Sequence, residues 1–101
     1  VNFHLLISQE AKLDIFDAFL WYEKKRNSLG FEFELSLERS FEVIVNNPLA
    51  FQEKYDNVRI HFVERFPYGI HYIVEETTIR IFGVFHTSIN PTHWQKRISK
   101  K

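Results

Sequence analysis

Apolar residues recur at helical spacing in the first half of this chain and at every second position in the second half. From Gln9 to about Asn27, Ala11, Ile15, Ala18, Phe19 and Tyr22 form a stripe, with Leu13, Phe16 and Leu20 beside it and no glycine or proline interrupting. Ser8 stands where an N-cap belongs, and Glu10 suits the positive end of a helix dipole. Leu29-Gly30 is predicted to break this helix. A second is predicted from about Phe31 to Asn46, on Phe33, Leu37, Phe41 and Ile44, and Asn46-Asn47-Pro48 stops it. Helices joined so tightly form an antiparallel hairpin. Ahead of them, Phe3-His4-Leu5-Leu6-Ile7 reads as a short strand.

The rest alternates. Val58, Ile60 and Phe62 oppose Arg59, His61 and Val63. Ile70, Tyr72 and Val74 oppose His71, Ile73 and Glu75, and Ile79, Ile81 and Phe85 oppose Thr78, Arg80, Phe82, Val84 and His86. The order strand–helix–helix–strand–strand–strand gives an α+β fold. It consists of an N-terminal strand, a helical hairpin on one face of a mainly antiparallel four-stranded sheet, and a short C-terminal segment, all in one domain over residues 1–101. A two-residue loop at Glu76-Thr77 would pair Glu75 with Thr78, Val74 with Ile79, Ile73 with Arg80, Tyr72 with Ile81 and His71 with Phe82. Opposed residues share a face. Ile70, Tyr72, Val74, Ile79, Ile81 and Phe85 are then expected under the helices. Arg59, His61, His71, Arg80 and His86, with His4, are expected on the open face.

Composition narrows the chemistry. The chain has 101 residues, 45% of them apolar and 17% aromatic, which suits one compact core. It has no cysteine, so disulfides, thiolate metal sites and a cysteine nucleophile are excluded. No apolar run approaches the ~20 residues of a membrane span. The opening VNFHLLISQEAK has neither the basic start nor the cleavage site of a secretory signal, so a cytoplasmic protein is expected. The formal net charge of zero conceals an asymmetry. Residues 1–56 carry ten acidic against six basic side chains, and residues 57–101 carry three against seven. The basic half can attract a polyanion, or it can merely complement the acidic helices.

Histidine titrates near neutrality and serves as a general acid or base; arginine stabilises phosphoryl charge through its planar fork. Arg59, His61 and His86 are therefore candidate catalytic residues of a metal-independent ribonuclease. Substrate or partner contacts are expected at His71, Arg80, Trp94, Lys96 and Arg97. Taken singly, each is also accounted for by a solvated sheet face, and Trp94 by an anchor for the tail. The histidines fit no metal-ligand spacing, and no phosphate-cradling glycine loop is present, so neither a metal nor a cofactor is expected. Lys100 and Lys101 read as a solvated end.

RFPYGIHYIVEE, IRIFGVFHTSINPTHW and the early SQEAKLDIFDAFLWYE together resemble the RelE/ParE superfamily of bacterial toxins from type II toxin–antitoxin modules of the plasmid-stabilisation type. The resemblance runs through nearly the whole chain, and His-Thr-Ser-x-x-Pro-x-x-Trp is its most specific part. It implies a growth-inhibitory toxin neutralised by a cognate antitoxin, whose extended C-terminal segment wraps the toxin and often adds to its sheet. RelE-like members cleave mRNA on the ribosome, whereas ParE-like members inhibit DNA gyrase. Arg65 matches a basic position common to the family and by that resemblance joins the candidate catalytic residues; His86 matches the histidine that opens the terminal turn, and Trp94 the neighbourhood of an aromatic in nuclease members. Ile89 departs from the pattern, which usually reads His-Thr-Ser-Arg-Asn-Pro. In nuclease members a basic residue near that place helps hold the scissile phosphate, so its loss tilts the expectation toward a gyrase-directed toxin. An mRNA endonuclease is the first alternative, and a degenerate toxin that only binds its antitoxin is the second.

Overall fold

The computed structural model describes residues 2–98; Lys100 and Lys101 lie outside them. The elements are β1 (His4–Ile7), α1 (Gln9–Lys25), α2 (Leu29–Asn46), β2 (Glu53–Tyr55), β3 (Val58–Phe62), β4 (Tyr68–Glu75), β5 (Thr78–His86) and α3 (Pro91–Ile98). The sheet order is β1-β5-β4-β3-β2, with β1 parallel to β5 and every other pair antiparallel. The expected α+β architecture is present, with a fifth strand added. That strand was legible: Asp56-Asn57, both at positive φ, turn the chain between the paired residues Tyr55 and Val58.

Ser8 caps α1 by accepting from the Ala11 amide. The break between the helices falls one step earlier than the sequence implies. Ser28 takes the left-handed conformation, and Gly30 already lies inside α2. Gly30 is needed for contact, because a Cβ there would meet the Phe19 carbonyl oxygen at 2.7 Å. Glu23 accepts from the amides of Ser28 and Gly30, which satisfies donors at the start of α2.

The main core lies between this hairpin and the sheet. Ala11, Ala18, Tyr22, Phe33, Leu37 and Ile44 meet Ile70, Tyr72, Ile79, Ile81 and Val84. A smaller cluster on the opposite face, Val58, Ile73 and Phe82 with Tyr55 and Ile98, lies beneath α3. The terminal segment is thus a helix covering the face expected to be open. Asn90 accepts from the Thr92 amide at its start, and Pro91 occupies the first helical position.

Two registers differ from expectation. The β4–β5 pairing follows the two-residue loop from Glu75–Thr78 through Tyr72–Ile81. A bulge then sets His71 against Gly83 instead of Phe82. One extra residue reverses every side chain beyond it. Val84 therefore replaces Phe85 in the core beneath the helices, and Phe85 turns to the other face against His71. In β3, Arg59 pairs with Tyr72 and His61 with Ile70, so both share the helical face. The apolar alternation of β3 could not reveal this, because Val58 and Ile60 are buried on the α3 side.

Candidate functional site

These registers disperse the expected open-face cluster. His71 and Arg80 remain on the α3 face, and His4 meets Thr78 at its edge through a 3.1 Å contact. Arg59, His61 and His86 are corrected to the helical face.

Arg59 closes the α2–β2 connection, donating to the carbonyls of Leu49 and Phe51 and pairing with Glu53 at 3.2 Å. His61 packs edge-on against Phe51, and burial lowers its pKa against a weaker opposing pull from Glu64. Arg65, at φ 72°, bonds Glu32 at 2.9 Å and lies over the Phe66 ring. Arg80 donates to Glu75 at 2.6 Å.

His71 is 2% exposed under α3. Its Nδ1 shares a 2.9 Å hydrogen bond with the Tyr55 hydroxyl, and burial and then the Arg97 charge push its pKa down to about 4. The Trp94 ring stacks on Tyr55 and lies 4.8 Å from the His71 ring, so Trp94 packs α3 onto the sheet. Its indole N–H is buried with no acceptor among the described residues.

One groove, of about 680 Å³, does gather expected residues. It runs between α1 and the β5–α3 junction, and its lining includes Tyr68, His86, Ile89, His93, Lys96 and Arg97. His86 reaches it because the bulge turned the residue toward α1. His86 Nδ1 accepts from the Ser88 amide at 3.1 Å, which leaves the proton of the neutral ring on Nε2. Ile89 contributes an apolar wall where the family pattern has a cation. Opposite stand Glu10, Asp14 and Asp17 of α1.

Asp14 organises this groove, and the sequence reading passed over it. Its carboxylate receives Arg97 through bonds of 2.8 and 3.2 Å and also accepts from the Val84 amide at 3.0 Å. Arg97 donates as well to the Phe82 carbonyl and lies over the Phe85 ring. One carboxylate thereby ties α1, the strand beyond the bulge and α3 together. Its signal was an acid between Ala11 and Ala18 on the buried face of a helix.

The architecture is similar to a solved chain described as "Chromosomal ParDE TA system from P. aeruginosa". The likeness has a TM-score of 0.76 and 17% identity, and it covers 85% of this chain and 97% of that one. No curated protein matches the chain. Residues 5–91 match the family described as ParE toxin of type II toxin-antitoxin system, parDE, and the chain belongs to that family. It is the toxin component of a type II module, with a cognate antitoxin as partner. No helix among the described residues is long and apolar enough to cross a membrane.

Proposed function

We propose that this toxin arrests growth by binding a protein target, DNA gyrase, in the cytoplasm. The observation supporting this reading is where the arginines point. Arg59, Arg65, Arg80 and Arg97 are each held by carboxylates or carbonyls of the chain itself. Transition-state stabilisation of a phosphoryl group needs preorganised donors aimed at the reacting atoms. These guanidinium groups are aimed at structural partners, and His71 is buried. Purified gyrase should lose supercoiling activity at micromolar toxin and regain it on adding the antitoxin. Undiminished supercoiling would remove gyrase as the target.

A second reading, ribosome-dependent cleavage of mRNA, draws on the groove that brings His86 together with Tyr68, Lys96 and Arg97. It requires codon-positioned cuts in translated messages, seen by primer extension and lost in His86→Ala. Intact messages during growth arrest would exclude it.

A further inference from the structure

Ser88 is exposed in the turn between β5 and α3, and it lines the groove beside that junction. Its hydroxyl lies 2.7 Å from His86 Nδ1. The direction of this hydrogen bond is fixed by a second one. Nδ1 already accepts from the Ser88 amide, so it presents a lone pair and the hydroxyl is the donor. A serine hydroxyl by itself is a weak nucleophile, and an adjacent base within about 2.6–3.2 Å is what activates it. This pair has that separation and that polarity, and it opens onto a groove rather than onto packed protein.

His86 is held in place from two sides. Tyr68 is its partner across the β4–β5 ladder, and the two rings meet edge-on with centroids 5.2 Å apart. The Ser88 amide fixes Nδ1 from the turn. An imidazolium formed there would share the groove with Glu10, Asp14 and Asp17, whose charges favour it. The groove is within the roughly 300–1,000 Å³ of small-molecule sites. Its surroundings suit an acyl group better than a phosphoryl group. Ile89, next to Ser88, is apolar where the family pattern carries a cation, and Val84 and Phe85 add apolar lining. Arg97 is committed to Asp14 and to the Phe82 carbonyl.

We propose that Ser88 is a nucleophile that takes an acyl group from an activated ester, with His86 as its general base. Oγ bonds to the carbonyl carbon while its proton passes to Nδ1. The carbon–oxygen bond to the leaving group then breaks, and the leaving oxygen takes the proton from Nδ1. The products are an acyl ester of Ser88 and a free alcohol, with no oxidant or reductant involved. The step shares His86 with the mRNA-cleavage reading but requires neither RNA nor a ribosome, so either can fail without the other.

The test incubates the full chain with para-nitrophenyl acetate, quenches with acid and maps the acetyl group by peptide mass spectrometry. One acetyl group is expected on Ser88, removable by alkaline hydroxylamine as an ester requires. Ser28, an exposed serine whose side chain makes no capping bond, should stay unmodified and serves as the internal control. Ser88→Ala should abolish the ester. His86→Gln keeps the hydroxyl but removes the base, and should slow acetylation of Ser88 by at least ~100-fold. Acetyl groups confined to lysines, equal labelling of Ser88 and Ser28, or an unchanged Ser88 rate in His86→Gln would each overturn the proposal.

Discussion

Asp14 and His71 are the two side chains whose surroundings leave them least room for replacement. Asp14 and Arg97 are only 18% and 20% exposed, so removing the carboxylate strands a largely desolvated guanidinium together with the Val84 amide. Breaking such a pair costs several kcal/mol even where the intact pair contributes little. Asp14→Ala should lower unfolding free energy by about 3 kcal/mol in urea titration. Asp14→Asn, which retains an acceptor for Val84, should recover about 1 kcal/mol of that. Equal losses would mean that the Val84 bond contributes nothing. His71 makes a different prediction, on pH. Its folded pKa of about 4 lies below the ordinary value near 6.5. Between these values the unfolded chain binds a proton that the folded chain refuses. This contribution to stability is therefore whole above pH ~6.5 and is lost as pH falls toward 4. His61, lowered in the same direction, adds to it. Over that interval the native chain should lose about 2 kcal/mol more than His71→Leu does. Parallel pH profiles would show that His71 does not titrate differently on folding.

Among the elements, β5 separates what the chain discloses from what it conceals. Its first half follows from alternation and a two-residue loop, and the structure keeps those pairings. Ser8, the helix stripes and the stop at Pro48 were equally local signals, and each lies where capping and periodicity put it. The bulge was not legible, because both faces of β4 and β5 are apolar and neither register exposes an obvious error. It moved His86 from one face to the other, and with it the composition of the candidate site. The helical nature of residues 91–98 was within reach from Asn90-Pro91, yet Trp94 alone had suggested only an anchor. Gly83 lies at the bulge with no room for a side chain: a Cβ there would run into the Phe85 ring. Gly83→Ala should therefore cost about 1–3 kcal/mol through overpacking. It should also disturb the amide signals of His71 and Val84 more than those of Val74 and Ile79. In the helical hairpin the sign reverses. Ser28 holds φ 73° with no side-chain cap, so Ser28→Gly should stabilise by a few tenths to ~1 kcal/mol.

For the molecule as a whole, charge and apolar exposure segregate onto the same layer. The two helices hold eight of the thirteen acidic residues, and they also carry most of the large apolar side chains left in solvent. On α1, Leu13, Phe16 and Leu20 are 41–54% exposed at helical spacing; on α2, Phe31 and Leu35 are 60% and 48% exposed. Phe19 packs edge-on against Phe31 where the two helices meet, with ring centroids 5.0 Å apart. Scattered exposed leucines need no explanation, but a run of this kind on one hairpin marks an interaction surface. The known partner is the antitoxin, and neutralisation requires it to bury apolar groups somewhere on this chain. Phe16→Glu tests whether it does so here. The side chain is half in solvent, so unfolding free energy should change by less than about 0.5 kcal/mol. A carboxylate buried in an apolar interface without a partner is costly, and the surrounding acids compound it. Antitoxin affinity should therefore fall by at least ~100-fold, as expected where a hot-spot aromatic is lost. In cells the variant should keep its growth inhibition and escape neutralisation at antitoxin levels that silence the native toxin. Unchanged affinity would move the antitoxin off the hairpin. Lost toxicity with a native fold would mean instead that the target uses this same face.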